Sequence, residues 1–257
     1  MITQRSRLTS RKKCPLVALC VLGDFLLMSI SSLCPILKAR YGEFYLTEAK
    51  HFLEQGGFES VVHDENTFRQ LIQLNEDIRV LLFKALVQIE LAYNALLIEL
   101  MDNHYKKNPY WYAELSYEGI NLSSQKKMPA FELIGQQSFG TVVFFHHKAP
   151  ENVKKMMAKR LEFPKHHKAY QVATLFGTLV YLRNDVSHNR WLIRKTFKAP
   201  IPSFTKEEDS NRTALSDYFQ WIEHLLSLLS LEASHAFFLR LNELKMTAPR
   251  AIQEGYF

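Results

Sequence analysis

Between Phe68 and about Tyr105, apolar residues recur at alternating steps of four and three: Ile78, Leu82, Ala85, Ile89, Ala92 and Leu96. That repeat marks one face of an α-helix. A β-strand, whose side chains alternate every second residue, cannot sustain it. Arg79, Lys84, Gln88 and Glu99 lie off the stripe, while Leu81, Leu86, Leu91 and Leu97 widen it. The spacing therefore predicts a long helix buried on more than one side, with Asn66 or Thr67 as its N-cap. A helix of this kind must be covered by other elements, and that requirement constrains the whole chain.

The flanking segments read as further helices. Pro109 and the aromatic Tyr110, Trp111 and Tyr112 end the first one, and 121–127 is a polar loop. Pro129 opens a helix carrying Phe131, Leu133, Ile134, Phe139 and Val142. The β-branched and aromatic run Thr141 to Phe145 is assigned to it because no partner strand is in sight. Glu151 to Leu161 forms the next helix, and another begins near 165–169 and runs through Tyr181. Pro200 and Pro202 mark a loop continuing through 205–212, and a last helix spans about 213–245. The expected class is an all-α bundle. Its organisation divides into an apolar N-terminal region (1–65), a helical domain (66–248) and a short tail (249–257).

Composition narrows this further. The chain has 257 residues, 47% of them hydrophobic, enough for one large core or two modest ones. Nine Gly and nine Pro are too few for a long disordered or turn-rich design. The net charge of +6 permits a polyanionic partner without requiring one. Cys14, Cys20 and Cys34 include no CxxC pair, which argues against a disulfide scaffold and a zinc site and points to a reducing cytoplasm. Arg5, Arg7, Arg11, Lys12 and Lys13 precede an apolar run over 15–37, a pattern shared by signal peptides and membrane anchors. Asp24 and the serines at 29, 31 and 32 dilute that run, so a buried helix is the competing reading, and membrane association through 15–37 stays open.

The chemistry lies in 181–194. There an apolar helix abruptly acquires Arg183, Asn184, Asp185, Ser187, His188, Asn189, Arg190 and Arg194. Residues four apart share a helix face, which pairs Asn184 with His188, Arg183 with Ser187 and Arg190 with Arg194. Arg183 and His188, five apart, would splay by roughly 140° on an ideal helix. Their cooperation needs a turn here or a second copy of the chain. Histidine exchanges protons near neutral pH, and arginine holds phosphate oxygens through its fork of donors. The pair suits cleavage of RNA, which carries its own nucleophile in the 2′-OH, so no metal or cofactor is called for. A solvated polar helix face is the plainer explanation of the same residues.

This segment resembles the R-x(4–6)-H signature of HEPN nucleases, in the R-N-x-x-x-H form of the Abi-like (AbiD/AbiF) abortive-infection family. Glu76 to Ala92 is similar to that family's charged-start helix, and Ser138, Phe139, Gly140 and Thr141 match its S-F-G-T element before a short helix at Glu151 to Leu161. The three elements follow the family's order over about 68–195. The resemblance implies a HEPN-like helical bundle with additional helices. It also implies a homodimer in which two motif copies meet across a twofold axis. The activity it implies is a metal-independent endoribonuclease that leaves a 2′,3′-cyclic phosphate, and the role is a growth-arresting toxin in phage defence, with room for an antitoxin partner. On that reading Arg183, Asn184 and His188 are catalytic, Arg190, Arg194 and Lys195 contact RNA, and Glu90 and Arg79 give support, with Glu90 placed to anchor an arginine of the motif helix.

This sequence departs from the family at three points. Asn189 follows His188 where a second histidine is common, Asn94 stands in an arginine slot, and the N-terminal tyrosine-rich segment is replaced by the apolar run. Target recognition is what these departures put in doubt. Other readings are a non-catalytic RNA-binding regulator of the same fold and a membrane-associated helical protein. The pairs His146–His147 and His166–His167 point about 100° apart on a helix and make poor chelates. Lys154, Lys155, Lys159, Arg160, Lys165 and Lys168 form a basic cluster that suits RNA phosphates or a solvated face equally. Trp191 fits core packing better than base stacking.

Overall fold

The computed structural model describes residues 35–57, 64–115, 128–197, 200–203 and 213–249. The described chain is mostly helical and has no strand. Most of the apolar run over 15–37, the loop at 121–127, the polar run 205–212 and the tail beyond Pro249 lie outside the described residues.

Contacts divide the chain into two compact units, 1–47 and 48–257. In the first, α1 (Pro35–Tyr41) ends at Gly42, whose φ of 80° is open to glycine without strain. α2 (Glu43–Gln55) starts there, and the division falls within it. Tyr41 stacks on Tyr45 at 5.6 Å, and Lys38 pairs with Glu43 at 3.5 Å.

In the second unit the organising element is α3 (Glu65–His104), a 40-residue helix. Its N-cap is Asp64 and not Asn66 or Thr67. The Asp64 carboxylate accepts from the Asn66 N–H and the Thr67 hydroxyl, and the Thr67 bond above all holds its pKa below the ordinary value. α4 (Ala130–Gly135), α5 (Phe139–Lys148), α6 (Glu151–Arg160), α7 (Gln171–Ser187), α8 (Leu215–Leu229) and α9 (Leu231–Thr247) all pack on α3. A single 3₁₀ turn, Trp111–Glu114, follows it.

Two expected helices are each divided by a serine. The helix from Pro129 stops at Gly135, and Ser138 caps a new one by accepting from the Thr141 N–H at 3.3 Å. The helix expected over 213–245 breaks at Ser230, which is extended (φ −163°, ψ 123°) and accepts from the Ala233 N–H. A serine competes with the backbone for hydrogen bonds, so it favours a cap over a helix interior. Thr141 to Phe145 is helical as expected.

α3 also differs from its expected burial. Ile78, Leu82, Ala85, Leu86, Ile89 and Leu97 are buried, but Leu91 is 64% exposed. Leu91 belongs to a second apolar stripe with Val80, Phe83 and Val87 on the opposite side of the helix. Val80 and Phe83 are also exposed, and Val87 is half-buried. Among the described residues α3 is the helix long and apolar enough to cross a membrane, and 33% of its most apolar stretch is buried within the protein.

A buried polar pair lies in the core. The Tyr93 hydroxyl lies 2.8 Å from His146 Nδ1, and Tyr93 stacks on Phe176 of α7 at 3.9 Å. Burial, with smaller contributions from His147 and Lys154, pushes the His146 pKa down to about 3, so the ring is neutral at physiological pH.

Candidate functional site

α7 carries the motif. Its first four turns are anchored by Val172, Leu175, Phe176, Leu179 and Leu182, all buried. It begins at Gln171, later than the sequence suggested, and continues unbroken to Ser187. His188 is the C-cap and accepts no further helical residue after it: its N–H bonds the Asn184 carbonyl at 2.9 Å, and Asn189 turns left-handed at φ 54°. The Arg190 N–H then bonds back to the Asp185 carbonyl at 3.0 Å, the long bond of a Schellman closure. Asparagine tolerates this conformation better than most residues, which explains an Asn where glycine is usual. The closure removes Arg190 and Arg194 from the helix, so they are not the helical pair their spacing suggested. Arg194 itself is left-handed (φ 61°) and half-buried.

Asn184, Ser187 and His188 are exposed at this helix end. Arg183 is turned to the side. Its Nε is shielded from solvent and lies 3.4 Å from Glu90 Oε2 on α3. Glu90, 16% exposed, and Arg183, 35% exposed, thus form an ion-pair contact in which Arg183 Nε makes no hydrogen bond. The forked Nη end of Arg183 makes no hydrogen bond among the described residues. With Tyr93 against Phe176, the pair shows that α3 and α7 run antiparallel.

The segment after the motif is locked. Trp191, Leu192 and Ile193 are fully buried. Their N–H groups, free of helix, donate to one carboxylate and one amide far away in sequence. Glu48 Oε2 takes Trp191 at 2.9 Å, and Asn75 Oδ1 takes Leu192 at 2.9 Å and Ile193 at 3.2 Å. Trp191 is core, not a base-stacking surface. Lys195 lies 2.9 Å from Asp185 Oδ2 and 4.0 Å from Glu48 Oε1, and Arg190 is also 4.0 Å from Glu48 Oε1. Lys195 is only 15% exposed, so its charge is engaged inside the protein. Arg79 pairs with Glu76 one turn away on α3.

The structure therefore pairs Arg183 with Glu90, leaves Asn184 and His188 exposed at the same helix end with no turn between Arg183 and Ser187 to bring Arg183 and His188 onto one face, and gives Lys195 and Arg190 a part in an ion network. Sequence reading missed Glu48 and Asn75. Asn75 left a signal, since it sits in register with Leu71, Ile78 and Leu82 as the one polar member of the core stripe. Glu48 left none. Among the described residues no three His, Cys, Asp or Glu side chains gather to hold a metal ion. No protein-family model matches the chain, and neither does any curated protein or solved structure.

Proposed function

We propose that this chain is an endoribonuclease of the abortive-infection kind, built on a HEPN-like bundle, that cuts RNA through Arg183, Asn184 and His188 without a metal or cofactor. One observation carries the reading: at a single helix end, a guanidinium paired with Glu90 on its Nε side keeps its fork unbonded among the described residues, and an exposed amide and an exposed imidazole follow it in the last turn. Phosphodiester cleavage by RNA's own hydroxyl can use that set. The 2′-oxygen attacks phosphorus as its proton passes to a histidine. The bond to the 5′-oxygen breaks, and that oxygen takes a proton from an acid. The Arg183 fork offsets the charge that builds on the phosphoryl oxygens, and Asn184 orients them.

The motif's one histidine cannot be base and acid at once, which makes a homodimer the natural unit. The exposed stripe of Val80, Phe83 and Leu91 flanks Glu90 and offers an apolar face for a second copy. A cytoplasmic toxin in phage defence, held in check by an antitoxin, is the role that goes with this activity.

The test is cleavage of labelled RNA by the purified chain in excess EDTA, beside Arg183→Ala and His188→Ala. The expected products carry 2′,3′-cyclic phosphate ends, and each variant should be slower by about 10²-fold or more. Induced expression should arrest bacterial growth with wild type only. Cleavage that persists in both variants, or RNA bound and left intact by wild type, overturns the reading; the second result leaves an RNA-binding regulator.

A further inference from the structure

α7 presents a second feature along its whole length. Tyr170, Thr174, Gly177, Tyr181, Asn184 and His188 follow one another at steps of four and three, and so lie on one face. All are exposed except Gly177, which is half-buried, and a Cβ added at Gly177 would meet nothing within 4 Å. Tyr170 and Tyr181 are 51% and 63% exposed, and neither ring has a partner among the described residues. Tyr170 has helical backbone angles, and His188 follows it by eighteen residues, five turns of an ideal helix spanning roughly 27 Å. Asn184, His188 and Tyr170 therefore face the same way, with Tyr170 at the opposite end from the other two.

At the Tyr170 end lies a cleft of about 530 Å³ between the last turns of α6 and the loop that leads into α7. Lys155, Lys159 and Lys165 line it against one acid, Glu162, and Ala169 completes it next to Tyr170. The lysines are exposed and form no ion pair among the described residues. The cleft is built firmly. Glu162 is left-handed (φ 46°), the Phe163 N–H returns to the Ala158 carbonyl at 2.9 Å, and the Glu162 N–H returns to Lys159 at 3.2 Å, a full Schellman closure. Phe163 then stacks on Trp221 at 5.1 Å, and His167 Nε2 bonds the Ser203 carbonyl.

We infer that this face is a track for single-stranded RNA: the lysine cleft holds phosphates of the strand, Tyr170 and Tyr181 stack its bases, and the strand is led along α7 to Asn184 and His188. The inference rests on the nuclease reading for its choice of RNA. Unpaired lysines alone would suit any polyanion, whereas two exposed aromatic rings in line between them and the motif favour a strand whose bases are free to stack. With bases stacked at about 3.4 Å per nucleotide, the strand needs about eight nucleotides to reach from cleft to motif.

The experiment is fluorescence anisotropy with the full chain carrying His188→Ala, which prevents cutting. The probes are labelled single-stranded RNAs of 4, 8, 12 and 16 nucleotides, a 16-base-pair duplex, and anionic phosphatidylglycerol vesicles. Affinity should rise from 4 to about 8–12 nucleotides and then level off. Lys155→Gln with Lys159→Gln should weaken the 16-mer about tenfold and reduce the slope of log affinity on log salt by about 1.4, from two lost phosphate contacts on a single strand. Tyr181→Ala should weaken it about tenfold with the salt slope unchanged. Equal binding by the lysine variant, equal affinity for the 4-mer and 16-mer, preference for the duplex, or capture by vesicles and not RNA overturns the track. Wild-type cleavage assayed in parallel separates the two ideas. Cutting unaffected by the lysine and tyrosine changes sinks the track and spares the nuclease; length-dependent binding through the cleft without any cutting does the reverse.

Discussion

Arg183 Nε lies 3.4 Å from Glu90 Oε2, and this contact ties the motif helix to the central helix at the level of the proposed chemistry. The pair is partly exposed, so its net effect on stability is small, about 0–1 kcal/mol. Its consequence is orientation. Glu90→Gln should leave the thermal midpoint within a few degrees, lower kcat for RNA cleavage by about tenfold or more, and change KM little. Glu90→Asp should recover part of the loss. A Glu90→Gln enzyme with unaltered kcat would show that the pair plays no part in positioning Arg183.

The second apolar stripe on α3 should be an interface. Phe83→Asp with Leu91→Asp removes apolar surface that the single chain leaves exposed, so monomer stability should shift by about 0.5 kcal/mol or less per site. Analytical ultracentrifugation should show wild type as a dimer and the variant as a monomer, with RNA cleavage lost. A wild type that sediments as a monomer at all concentrations and still cuts RNA contradicts the composite site.

Asn75 accepts from two buried N–H groups, so its loss strands both. Asn75→Ala should destabilise the chain by about 2–4 kcal/mol in urea unfolding, since each buried donor left unpaired costs about 1–3 kcal/mol. The loosened Trp191–Ile193 segment should also raise hydrogen exchange at Arg190 to Ile193.

Asn189 closes α7 in a left-handed conformation. Asn189→Gly should be neutral to within about 0.5 kcal/mol, while Asn189→Val should cost about 1–2 kcal/mol, because a β-branched residue is strained there. Since His188 is the adjacent cap, the valine variant should lose cleavage activity well beyond its loss of stability.

The Tyr93–His146 pair should make stability depend on pH. Burial depresses the folded His146 pKa from 6.5 to about 3, so the unfolded chain binds a proton more readily. The contribution is complete above about pH 6.5 and is lost as pH falls toward 3, at up to about 1.4 kcal/mol per unit. His146→Gln keeps a partner for the Tyr93 hydroxyl and does not titrate. Its unfolding free energy should therefore fall less steeply than wild type between pH 6.5 and 5. Parallel slopes would mean that His146 is not the group responsible.

Much of this was legible in the chain itself. The four-three spacing from Ile78 to Leu96 determined a long α3, and the polar intrusion at Arg183 to His188 marked the motif, because helical period and residue chemistry are local properties. Even Glu90 was readable as an anchor for the motif helix. Tertiary structure alone decided the rest. It chose which of two apolar stripes on α3 became core and left Leu91 outside, a choice no single helix can make. It ended α7 at His188 and brought Asn75 to Leu192 across 117 residues of sequence. The physical reason is that a buried N–H donates to whatever acceptor the packed fold delivers, and that acceptor is fixed by how helices meet, not by their order along the chain.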